Sequence, residues 1–106
     1  MDNLEIVAIL TAKAGSEALV GETLSALVEP TRAEDGCISY RVFVSAVDPA
    51  TFITVETWNS QDEFNEHMQT PYVQHAFETA GDHLTQAPLI HPLSEVSVGR
   101  PAPSAH

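Results

Sequence analysis

His67 is the side chain of this sequence best suited to proton transfer. Its spacing puts Phe64, His67 and Met68 on one helical face, so the ring points toward a sheet and away from solvent. An imidazole held there can take the proton of a phenolic hydroxyl. The plainer reading is a core histidine hydrogen-bonded to a carboxylate such as Glu56. Trp58 and Glu56 share one face of the strand just ahead of that helix. Glu56 is placed either to orient His67 or to form an ion pair with Arg41; Trp58, read alone, is core. Tyr72 follows a helix-opening proline, and its hydroxyl faces a ligand or the surface. Arg32 offers a guanidinium to an anionic group, against the plainer alternative of pairing with a neighbouring carboxylate.

Other spacings fail as chemistry. His67, His75, His83 and His91 recur every eight residues, which is two helical turns, whereas histidine pairs that bind zinc from one helix stand one turn apart. Phosphate-binding glycine loops, dinucleotide fingerprints, nucleophile elbows and cysteine clusters do not occur, so the sequence supports no metal and no bound cofactor.

Hydrophobic spacing gives the elements that must hold these groups. Residues 4 to 13 read as a strand apolar on both faces at its middle, through Ile6 and Ala8 on one side and Val7 and Ile9 on the other. Ser16 caps a helix whose buried stripe is Val20, Leu24, Leu27 and Val28, ended or kinked by Pro30, with Gly36 as a left-handed stop. Residues 37 to 47 form a second strand, with Ile38, Tyr40, Val42 and Val44 on one face. Asp48-Pro49-Ala50-Thr51 is a turn, and Phe52 to Trp58 returns antiparallel. Ser60-x-x-Glu63 fits a capping box. Thr70-Pro71 opens a further helix that buries Val73, Ala76, Phe77, Ala80 and Leu84. Leu89 to Leu93, bracketed by prolines, reads as an edge strand or one that crosses to another subunit.

The order β-α-β-β-α-β is the split βαβ arrangement of an α+β, ferredoxin-like domain with a four-stranded antiparallel sheet. Residues 1 to 98 form that domain, and Gly99 to His106 reads as a disordered tail. Two helices cover one sheet face. The other, carrying Val7, Ile9 and Phe43 or Trp58, is too apolar to leave wet, which predicts a homodimer with sheets face to face, a dimeric α/β barrel.

Fifteen acidic residues against four basic ones give a formal charge of −11, which repels nucleic acid and anionic membranes. One cysteine, no signal-peptide pattern and no apolar run of membrane-spanning length make a soluble cytoplasmic protein the expectation.

The run Pro30-Thr31-Arg32-Ala33-Glu34-Asp35-Gly36-Cys37-Ile38-Ser39-Tyr40, then Glu56-Thr57-Trp58-x-Ser60, Phe64-x-x-His67 and Thr70-Pro71-Tyr72, resembles the antibiotic biosynthesis monooxygenase superfamily, of the quinol monooxygenase-like kind, across about residues 4 to 97. The resemblance implies a cofactor-independent oxidation of a small electron-rich aromatic, a hydroquinone or anthrone, by dioxygen. It implies His67, Trp58 and Tyr72 as the catalytic set, with Glu56, Phe64, Phe77, Tyr40 and Arg32 contacting substrate. Relatives also isomerise a small phosphorylated signalling sugar, for which Lys and Arg are scarce here, or degrade haem with an Asn on the first strand, where this sequence has Ala8 to Thr11. A non-catalytic dimer that binds a hydrophobic metabolite is the remaining alternative.

Overall fold

In the computed structural model, residues 3–96 are described; the tail expected at Gly99 to His106 lies outside them. Four strands, β1 (Leu4–Thr11), β2 (Cys37–Val44), β3 (Thr51–Trp58) and β4 (Leu89–Leu93), form one antiparallel sheet in the order β2-β3-β1-β4. Helices α1 (Glu17–Ser25), α2 (Val28–Arg32), α3 (Gln61–Met68) and α4 (Pro71–Ala80) complete the expected α+β, ferredoxin-like architecture. The sheet of one chain is open, with β2 and β4 as its edges, so a barrel requires a second copy.

β1 and β3 pair along their whole length, from Leu4 opposite Trp58 to Thr11 opposite Thr51. Because strand side chains alternate, this register sets Ile6, Ala8 and Leu10 beside Glu56, Thr54 and Phe52 on the helix-covered face. Ile6, Val20, Leu24, Leu27, Tyr40, Trp58 and Phe64 are among the residues of the core that closes over it. Trp58 belongs to this covered face and is 0% exposed, so of the two residues expected for the open face it is not Trp58 that lies there. Phe43 does face outward there, as do Val55, Leu89 and Leu93.

Several local expectations change. A register shift between Cys37 and Ser39 leaves Ile38 exposed rather than in line with Tyr40 and Val42, and Val44 is exposed at the strand's far end. The first helix breaks before Pro30: the chain turns at Ala26 and Leu27, and Pro30 sits in the first turn of α2, where a missing N–H costs nothing. Ser16 precedes α1 but does not cap it; its Oγ lies 3.0 Å from His83 Nδ1. Gly15, at φ 89°, has the left-handed backbone expected of Gly36. Gly36 is needed for space, since a Cβ there would lie 2.0 Å from Glu63 Cγ. α4 ends at Ala80, so Leu84 is buried from an extended segment that bridges to Ala12, and Phe77 is 37% exposed. Thr70 caps α4 as expected, accepting from Val73 N–H, and Ser60 caps α3, accepting from Asp62 N–H.

Candidate active site

α3 delivers His67 to the core. Its first turn is fixed by the Ser60 cap, and His67 follows Phe64 at i+3, so both side chains turn to the sheet and are buried. His67 is 3% exposed. Its ring stands 4.7 Å from the Trp58 indole, 5.9 Å from Tyr40 and 6.1 Å from Phe64, centroid to centroid. Aromatic faces thus hold the imidazole from three elements.

β3 supplies the buried carboxylate. Thr54, Glu56 and Trp58 alternate onto one face, so Trp58 Nε1 donates to Glu56 Oε1 at 2.9 Å and Thr54 Oγ1 donates to Oε2 at 2.7 Å. Glu56, 5% exposed, therefore has one neutral donor on each oxygen. It bonds neither His67 nor Arg41, the two partners expected from sequence; Arg41 lies over the Phe43 ring on the opposite face, 4.7 Å from its centroid.

The carboxylate that holds His67 is Glu34, in the loop after α2. His67 Nδ1 lies 2.8 Å from Glu34 Oε2, and the Tyr72 hydroxyl donates to the same oxygen. Glu34 is not marked as a site residue by any local pattern, although it stands inside the run that carries the family resemblance. The 33 positions separating it from His67 leave no local pattern to mark the pair.

Between helices and sheet lies a cavity of about 60 Å³, lined by apolar side chains of β1, α1, α4 and β4 together with Tyr40, Thr54, Glu56, Phe64, His67, Met68 and Phe77. Among the described residues, neither Lys nor Arg lines it. Phe77 both lines the cavity and reaches solvent, which makes its ring part of the cavity's outer wall. An aromatic ring needs more room, since an engineered cavity that holds benzene measures ~150 Å³; entry of such a ligand requires that wall to give.

Of the eight expected site residues, Glu56, Phe64, Phe77, Tyr40 and His67 meet at this cavity. Trp58 stands behind His67 and Glu56 and supports both. Tyr72 points away from the cavity to Glu34, and burial followed by the hydrogen bond to that carboxylate pushes its phenol up to about 12. Burial, and then the charge of Glu56, also raises the Tyr40 phenol, so both hydroxyls stay protonated across the physiological range. Arg32 faces an outer groove beside Cys37 and Ile38, where its Nε donates to the Tyr40 carbonyl at 3.0 Å. That bond replaces the carboxylate pairing expected of it.

A ferredoxin-like chain thus sets one imidazole and one buried carboxylate, among the described residues, on an apolar cavity. The family model described as antibiotic biosynthesis monooxygenase matches residues 4–79, and the chain belongs to that family. It is 30% identical over 95 residues to Rv0793 of Mycobacterium tuberculosis, provisionally named a monooxygenase, covering 87% of this chain and 93% of that protein. It is 34% identical over 59 residues to the Synechocystis protein sll1783, covering 56% of this chain but 40% of that longer relative. The crystal structure of PA3566 from Pseudomonas aeruginosa superposes with a TM-score of 0.85 at 26% identity, over 92% of this chain and 97% of the other.

Proposed function

We propose that this chain is a cofactor-independent monooxygenase that oxidises a small, neutral, electron-rich aromatic, a hydroquinone or anthrone-like phenol, with dioxygen. The observation that carries the reading is His67, among the described residues the one imidazole on an apolar cavity that no described cationic side chain lines. Nε2 of His67 takes the phenolic proton. The resulting anion passes an electron to dioxygen and the two radicals combine; one oxygen atom stays on the ring and the other leaves as water, with the substrate supplying the electrons. The protein's part is to deprotonate, orient and exclude water.

The same cavity argues against isomerisation of a phosphorylated sugar, because a phosphate needs Lys, Arg or a cluster of N–H donors and here would face the Glu56 carboxylate. β1, read Leu-Glu-Ile-Val-Ala-Ile-Leu-Thr, has no Asn of the kind used in haem degradation.

We further infer that two copies pair through the open sheet face, since Phe43, Val55, Leu89 and Leu93 would otherwise leave an apolar patch in water. Such a pairing buries roughly 1,600 Å² or more. Light scattering at micromolar concentration should give the dimer mass; a monomer mass contradicts the pairing. We place the activity in the cytoplasm.

An oxygen electrode tests the function with menadiol-like hydroquinones. Saturable oxygen uptake is expected. Turnover of a phosphorylated sugar with no oxygen uptake would overturn the reading.

A further inference from the structure

Glu34 reaches the site from the opposite side to the cavity. Its side chain, 17% exposed, lines an outer groove with Asp35, Asn59 and Glu63, while the ring it bonds lines the cavity. The His67 imidazole therefore stands between the two spaces, with Nδ1 turned to the outer one. Two groups converge on Glu34 Oε2, namely His67 Nδ1 and the Tyr72 hydroxyl. A carboxylate can only accept, so Nδ1 carries a proton, and in the neutral form of the ring the lone pair is then on Nε2. In free imidazole side chains the opposite tautomer predominates, with the proton on Nε2 and no base there. Tyr72 stays a donor because its phenol titrates only at about 12.

We propose that Glu34 is the positioning residue of the site: it holds His67 in the Nδ1–H tautomer that leaves Nε2 basic toward the cavity, and Tyr72 holds Glu34 rather than a ligand. When the substrate's proton reaches Nε2, the ring becomes a cation still bonded to the Glu34 carboxylate, which stabilises that charge without itself taking the proton. The Nε2 proton then returns to the departing oxygen as water forms, and the starting tautomer is restored. The catalytic consequence rests on His67 being the base, as proposed above; the tautomer does not.

Long-range ¹⁵N–¹H correlation spectra of histidine-labelled full chain read the tautomer directly. The parent should show His67 protonated on Nδ1. Glu34→Ala should move it toward Nε2–H, whereas Glu34→Gln, whose carbonyl still accepts from Nδ1, should keep it. If Glu34→Ala does not fold, Glu34→Gln and Tyr72→Phe carry the test, because both retain an acceptor at position 34. In hydroquinone turnover, Glu34→Ala should lower kcat about 100-fold and Glu34→Gln about 10-fold, each with KM within about threefold. A parent His67 carrying its proton on Nε2, or a Glu34→Ala spectrum identical to the parent's, overturns the proposal. Undiminished kcat in Glu34→Ala, with His67→Ala inactive, overturns its catalytic part. Full activity in His67→Ala would instead remove the base assignment and leave the tautomer result standing.

Discussion

Trp58 Nε1 and Glu56 Oε1 form a 2.9 Å hydrogen bond between two residues on the same face of one strand. The indole therefore does more than fill the core, because it supplies one of the two donors that a buried carboxylate needs. Trp58→Phe keeps most of the apolar volume and removes that donor. Leaving one oxygen of a buried carboxylate unsatisfied costs about 1–3 kcal/mol, beyond the small loss of packing. Urea unfolding should show that loss with an unchanged m value; a variant as stable as the parent would mean that Glu56 finds another donor.

Gly36 makes a different kind of demand. A Cβ at this position would meet both Cγ and Cβ of Glu63, at 2.0 and 2.4 Å, so the collision is with the root of the side chain and not its flexible end. Gly36→Ala should displace the start of α3 and cost ~1–3 kcal/mol, the range for overpacking. The same substitution at Gly15, where nothing lies within 4 Å, costs only left-handed strain, about 1–2 kcal/mol. Hydrogen exchange tests the distinction through α3: exchange near Ser60 should speed up in the Gly36 variant alone.

Much of this architecture is legible in sequence because local chemistry and fold agree. The Asp48 turn, the Thr70-Pro71 cap and the Ser60 cap each mark a boundary that the structure reproduces. The faces of β3 are harder to read. Thr54 and Glu56, polar, lie inside, while Ile53 and Val55 lie on the face left open, so an apolar-in reading inverts at the strand that carries the site. That inversion leaves the face of Trp58 ambiguous in sequence. Ile38 turns outward at a register irregularity that no residue pattern announces. His67 was readable from its helical face; its partner Glu34 was not, because a long-range pair has no periodicity.

Phe77 forms the part of the cavity wall that meets solvent. If that ring gives way to admit substrate and then packs against it, Phe77→Ala should raise KM about tenfold, the worth of a lost apolar contact, with kcat within about threefold. Initial-rate oxygen uptake over a range of hydroquinone concentrations separates the two constants. Unchanged KM places the entrance elsewhere.

Alkaline pH offers a check that needs no substrate. Tyr72 titrates at about 12 in the folded chain, and Tyr40 is also raised, chiefly by burial, against about 10 in the unfolded state. Between those values the unfolded chain has lost protons that the folded one keeps, so stability is fully present below pH 10 and falls as pH rises from 10 toward 12. Absorbance at 295 nm should show no tyrosinate step near pH 10 while the chain is folded. A step there from either of the two tyrosines contradicts the hydrogen bonding assigned to Tyr72 or the burial of Tyr40.

In the proposed reaction His67 is the base, acting on a substrate held in the partly enclosed apolar cavity. Oxygen consumption with a menadiol-like hydroquinone, compared between the parent and a folded His67→Ala variant, tests it most directly. General-base catalysis by a positioned side chain contributes about 10²–10⁴-fold, so the variant should be slower by at least about 100-fold after subtraction of the uncatalysed rate. Equal rates in the two proteins would contradict the account.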